Sequence, residues 1–201
     1  MPLQNRVTPF GELTISSARG LLMGNRGGRL HNARRQLGAR RLALKQWICC
    51  KLDFNDRHRK VWGDSYTELF FLDEATASAA GHRPCFECRC KDAQAFAALF
   101  AGVHKAPEMD AVLHGERLDG KAKRLHRRNL DELPDGAMIA LDNAAFAVRG
   151  EKLLRWSPSG YDDSRVRPRA GEAEVLTPPS IVAVLAKGYS PMWHPSAGAG
   201  A

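Results

Sequence analysis

Apolar and polar side chains alternate most clearly in Trp47-Ile48-Cys49-Cys50-Lys51-Leu52-Asp53-Phe54, which is also rich in aromatic and β-branched residues. A period of two sends neighbours to opposite faces of a sheet, so the stretch predicts a strand closed by an Asn55-Asp56 turn. Residues 66–72 predict a second strand. Asp73 then caps a short helix over 74–80, which Gly81 ends in the left-handed conformation.

Beyond residue 90 the period lengthens. Ala95, Phe96, Leu99, Phe100 and Val103 recur at helical spacing behind a cap at Asp92, and residues 108–118 predict a third helix. After Pro134-Asp135-Gly136, short apolar runs at 137–141, 145–148 and 152–156 predict a small antiparallel meander, with turns at Asp142-Asn143 and Gly150-Glu151. Residues 1–30 carry Pro9, Gly11, Gly20, Gly24, Gly27 and Gly28 without a lasting period, which predicts loop or short strands. The stretch 157–171 is rich in Pro, Gly and charge and predicts loop. Glu174-Val175-Leu176 follows, then a helix begun by Pro178-Pro179-Ser180 and a Gly/Ala tail. The pattern amounts to an α+β fold with two regions, 1–106 and 107–201.

Composition narrows the function classes. Of 201 residues, 44% are hydrophobic, enough for a core. No run is apolar enough to span a membrane, and the start lacks a secretion signal, so the chain is expected to be cytoplasmic. The net charge of +8 points to a polyanionic partner such as nucleic acid. The charge is concentrated between Arg26 and Lys60, with eleven basic residues against Asp53 and Asp56, and again over 121–128. Arg26, Arg34, Arg35, Arg40, Arg41 and Arg83 are the expected phosphate contacts. Trp47 and Trp62 either stack on bases or belong to the core.

The chemistry centres on Ala80-Gly81-His82-Arg83-Pro84-Cys85-Phe86-Glu87-Cys88-Arg89-Cys90. In a reducing compartment, clustered cysteines serve as metal ligands or reactive thiols more often than as disulfides. A Cys-x-x-Cys turn grips one ion, and a tetrahedral zinc site then needs two further ligands. Cys49 and Cys50 are the upstream thiols, and alternation lets only one of them reach the turn. His31, His58, His82 and Cys90 compete for the remaining place.

Other motifs are weaker. The Pro-Cys-x-x-Cys half of a zinc deaminase signature lacks its upstream His-x-Glu or Cys-x-Glu: Glu68 is the nearest carboxylate, and Tyr66 stands where a ligand is required. A redox Cys-x-x-Cys would open a helix after a strand. Met23-Gly24-Asn25-Arg26-Gly27-Gly28 lacks the Lys-Ser/Thr of a phosphate loop. Asp110, His114 and Glu116 fall on one predicted helix, where Asp110, His114 and Arg117 can share a face as an acid/base or metal group or as a solvated side.

The stretch from Glu68-Leu69-Phe70-Phe71-Leu72 through the helix to Gly81-His82-Arg83-Pro84-Cys85-Phe86-Glu87-Cys88-Arg89 resembles the second half of the metal-binding domain of the bacterial Ada DNA-repair family. The resemblance covers about residues 66–90 and implies zinc at Cys85 and Cys88 on a DNA-contacting domain, with a zinc-bound thiolate that accepts a methyl group. That family's first cysteine pair is separated by three residues, whereas Cys49 and Cys50 are adjacent. The whole chain also resembles an uncharacterised bacterial protein family that lends no activity. The expectation is therefore a zinc-binding, nucleic-acid-recognising protein. The alternatives are an enzyme, either a cysteine alkyl acceptor or a metal-assisted hydrolase using Asp110, His114 and Glu116, and a structural zinc protein that binds another protein.

Overall fold

In the computed structural model, residues 1–56 and 60–198 are described. The first half contains β1 (Arg6–Val7), β2 (Leu13–Thr14), β3 (Leu22–Asn25), β4 (Ile48–Lys51), β5 (Leu69–Phe71), α1 (Glu74–Ala79), β6 (Arg83–Pro84) and α2 (Cys90–Leu99). Then come α3 (Ala106–Arg117), a small hairpin of β7 (Leu118–Asp119) and β8 (Ala122–Lys123), and β9 (His126–Asn129). The chain closes with β10 (Met138–Leu141), β11 (Ala144–Arg149), β12 (Lys152–Ser157), β13 (Gly160–Val166), β14 (Glu172–Val175) and α4 (Pro179–Ala186).

Two six-stranded sheets carry the α+β fold. One is mixed, in the order β2-β1-β5-β3-β4-β6; the other is antiparallel, in the order β13-β12-β11-β10-β14-β9. In the mixed sheet β3 is central, with Met23 opposite both Cys50 of β4 and Phe70 of β5. Gly24 lies one residue on, opposite Cys49, and a β-carbon there would stand 2.0 Å from the Ile48 carbonyl oxygen. Glycine is therefore what allows β3 and β4 to pair so closely.

The pleat divides this sheet. Leu22, Cys49, Leu69 and Phe71 point into a core with Val7, Leu13, Ala77 and Ala80, while Met23, Ile48, Cys50 and Phe70 occupy the other face. Helix α1 is wholly buried between the sheets, so its small side chains Ala75, Ala77, Ser78 and Ala79 are a packing requirement. Asp73 caps it by accepting from the Thr76 amide at 2.9 Å and also accepts from the Tyr161 hydroxyl of β13 at 2.8 Å. Glu74 receives Tyr189 and Arg89, each at 2.7 Å. The boundary expected near residue 106 falls at the start of α3, whose Met109 and Leu113 pack with Phe96 of α2 and Ile181 and Val184 of α4.

Several elements differ from the expectation. The first strand is confined to Ile48–Lys51 and the second to Leu69–Phe71. Arg89, rather than Asp92, takes the cap position of α2, with Asp92 in its first turn bonded to Arg89 at 2.8 Å. Residues expected as loop form β13, an edge strand that pairs with β12 across a register shift at Arg155/Trp156. The basic run at 121–128 is drawn into β8 and β9, because β9 pairs with β14.

Candidate metal centre

Cys85 and Cys88 stand in the turn that joins β6 to α2, and β6 runs parallel to β4. The Cys85 amide donates to the Cys49 carbonyl at 3.0 Å, which fixes the turn beside the end of β4. Cys50 points toward the turn and Cys49 away from it. The sulfurs of Cys50, Cys85 and Cys88 all lie within 4.8 Å of one another. Cys49 is buried on the core side, where Arg89 Nη1 reaches its sulfur at 3.7 Å, and burial pushes its thiol far up. The pleat thus removes Cys49 from the expected ligand set.

The donor set has the chemistry of a metal site. The Glu87 amide donates to Cys85 Sγ and the Lys51 amide to Cys88 Sγ, each at 3.4 Å, a pattern that supports sulfur carrying negative charge. Hydrogen bonding from the Cys50 and Cys88 thiols holds Cys85 well below the usual thiol range, whereas pairing with Cys85 and Cys88 pushes Cys50 far above it. Three sulfurs this close together disfavour more than one negative charge among them unless a counter-ion is present. A bound divalent cation would relieve that conflict by favouring the thiolate form of each ligand.

His31 and His82 are committed elsewhere. His31 is buried, with Nδ1 2.7 Å from Thr67 Oγ1 and Nε2 2.9 Å from the Gly63 carbonyl. His82 packs against Trp47 and Phe71, and burial and Arg26 depress its basicity. Cys90 is exposed at the start of α2. His58 lies outside the described residues.

The expected phosphate contacts divide in two. Arg34, Arg35, Arg40 and Arg41 are exposed on the segment between β3 and β4, and Arg35 Nη2 bonds the Val61 carbonyl. Arg26 and Arg83 are each 1% exposed and cannot reach a surface partner. Arg83 pairs with Asp110 through two bonds of 2.9 and 2.7 Å, while Arg26 and Arg117 both lie 3.9 Å from the Trp47 ring. Trp62 is buried, stacks on His31 and donates to the Glu68 carbonyl, so both tryptophans take the core alternative.

The acid/base alternative on α3 does not assemble. Asp110 is bound to Arg83, and Glu116 accepts from Ser180 at 2.6 and 3.0 Å. His114 Nδ1 lies 3.4 Å from Arg117 Nη2 and joins neither carboxylate in a hydrogen bond among the described residues.

The three thiols line a cleft of about 250 Å3, together with Met23, Ile48, Phe70, Leu52, Phe54 and Val61. Glu68 also lines it. Its Oε2 accepts from the Trp62 amide at 2.8 Å, and its Oε1 is buried without a hydrogen-bond partner among the described residues. The sequence singled out Glu68 only through its place upstream of the cysteines; the signal that places it is the period of two, since Glu68 stands two residues before Phe70. No described helix is long and apolar enough to cross a membrane. No family model, curated protein or solved structure matches the chain.

Proposed function

We propose that the chain is a zinc-binding protein in which Cys50, Cys85 and Cys88 hold one ion, and that its exposed basic segment recognises nucleic acid. The convergence of three sulfurs from two separate elements carries the first part. Thiolate ligands select zinc or another soft ion over magnesium or calcium, and zinc is the common choice for a site joining a strand to a Cys-x-x-Cys turn. The resemblance of residues 66–90 to the Ada family supports the same ion at Cys85 and Cys88.

The second part rests on Arg34, Arg35, Arg40 and Arg41, four exposed guanidinium groups on one segment whose Arg35 meets Val61 at the cleft. Such a segment neutralises phosphates and brings a polyanion past the metal site. Metal analysis of freshly purified, unchelated protein tests the centre: about one equivalent of zinc is expected, and less than half an equivalent overturns it. Binding to short DNA and RNA duplexes at low salt tests the partner, and no binding to either removes it.

A second reading follows from exposure. Cys50 is the most accessible of the three ligands and faces the cleft, so its thiolate is placed to accept an alkyl group. In that reaction a carbon–sulfur bond forms at Cys50 as the carbon–oxygen bond of a methyl phosphotriester breaks, and the phosphodiester leaves with the electron pair. A methyl adduct on Cys50 after incubation with methylated DNA supports it; unmodified Cys50 in zinc-loaded protein excludes it.

A further inference from the structure

Three thiols do not fill the coordination sphere of a tetrahedral ion. Among the described residues, no other thiol, imidazole or carboxylate joins Cys50, Cys85 and Cys88. All three face the same cleft, which is where a fourth ligand has room to arrive.

The far side of that cleft is also incomplete. Glu68 is 3% exposed, and the partnerless Oε1 is a strong acceptor that water does not reach freely. Strand β3 separates Glu68 from β4, and Glu68 stands two residues along from Phe70, which lies across Met23 from Cys50, so about 12 Å separates its backbone from that of Cys50. Its carboxylate is not part of the sulfur cluster. The arrangement suits a group that holds one end of a ligand whose other end is on the metal.

Charge and size narrow what fits. Three thiolates on a divalent ion would leave one negative charge, Glu68 and Glu87 add two carboxylates, and Lys51 is the one cation lining the cleft among the described residues, so an anion is disfavoured there. The volume of about 250 Å3 falls below the roughly 300–1,000 Å3 of drug-sized sites. Between the polar ends, the walls are Met23, Ile48, Phe54, Val61 and Phe70.

We infer, on the basis of the zinc reading above, that the metal has one exchangeable position opening on the cleft. We further infer that the cleft takes a small neutral nitrogen heterocycle, with a ring nitrogen on the metal and an N–H on Glu68. Binding is a ligand exchange. A ring nitrogen would take the place of a water on the metal, which would leave to solvent, with no transfer of electrons and no net transfer of protons.

The test replaces zinc by cobalt(II) in the purified full chain and titrates it with benzimidazole, with azide as the anionic comparison. The expected result is a saturable shift of the cobalt ligand-field bands by benzimidazole, with the sulfur-to-cobalt charge-transfer bands retained and a weaker response to azide. Glu68→Gln is expected to leave the ligand-free spectrum unchanged and to weaken benzimidazole binding about ten-fold, the loss of one hydrogen bond to a charged group. Ligand-field bands that never move overturn the exchangeable position. Binding that appears only in His58→Ala also overturns it, by making His58 the fourth ligand. Equal affinity in wild type and Glu68→Gln overturns the role of Glu68. Absence of sulfur-to-cobalt bands would instead remove the zinc reading itself.

Discussion

Cys49 and Cys50 are neighbours in the chain and serve opposite sides of β4. Cys49 is sealed in the core against Arg89, while Cys50 joins Cys85 and Cys88 at the cleft. One step along the strand leads from a buried packing thiol to a candidate metal ligand, and the different fates follow from the pleat alone.

The Arg83–Asp110 pair, with side chains 2% and 7% exposed, joins the strand before the knuckle to α3. Asp110→Ala leaves a buried guanidinium without its carboxylate, and we expect a loss of about 3–5 kcal/mol in stability, read from denaturant unfolding. Replacing both residues by apolar side chains of similar volume should cost much less. A loss under about 1 kcal/mol for Asp110→Ala would mean that Arg83 is not held as described.

Lys123 gives the protein a pH dependence of known sign. The residue as a whole is partly exposed, but its ammonium donates to the Ala79 carbonyl beside Arg26 and Arg117, and burial, then those two charges, lower its pKa to about 7. Below pH 7 both folded and unfolded chains carry the proton and the penalty on folding is complete. Between pH 7 and the ordinary lysine value the unfolded chain binds more protons, so stability rises with pH. Denaturant titrations at pH 7 and pH 9 should show Lys123→Met losing about 1–3 kcal/mol of the rise seen in wild type, at 1.36 kcal/mol per unit. An identical rise in both proteins contradicts the assignment.

Gly81 ends α1 at φ +84°, and a β-carbon there would meet Arg117 Cδ at 2.6 Å. Gly81→Ala should cost about 1–3 kcal/mol through the left-handed backbone alone, with a further loss as Arg117 is pushed off Trp47. Thermal unfolding measures it; a neutral effect would show that the turn before the knuckle can relax.

For nucleic acid, the relevant arginines are Arg34, Arg35, Arg40 and Arg41. Replacing any two by alanine should lower the magnitude of the salt slope of binding by about 2, since each neutralised phosphate contributes about 0.9. An unchanged slope would exclude the segment as the contact.

Much of this was legible in the chain. The Cys-x-x-Cys turn after Gly81 and the alternation through Cys49-Cys50 follow from local pattern and reappear in place, and the strand expected over 66–72 reappears shortened to Leu69–Phe71. The third sulfur of the cluster was legible only as one of Cys49 and Cys50, with Cys90 and three histidines also competing for the remaining places, because a period of two says that the neighbours diverge without saying which way. The burial of Arg26 and Arg83 was not legible, since a guanidinium enters a core only when tertiary neighbours such as Trp47 and Asp110 receive it. Strand β13 was hidden for a related reason: Asp162, Asp163, Ser164 and Arg165 face solvent at a sheet edge and show no apolar alternation. The cleft joins β3, β4, β5 and the knuckle, so only the sheet order reveals that Glu68 and Cys50 share it.

The most direct test compares zinc content in the Cys49→Ser and Cys50→Ser variants of the full chain, each purified without chelator. The account predicts close to one equivalent retained in Cys49→Ser and loss of most of the metal in Cys50→Ser. The reverse pattern, or full retention in both, would contradict a centre built from Cys50, Cys85 and Cys88.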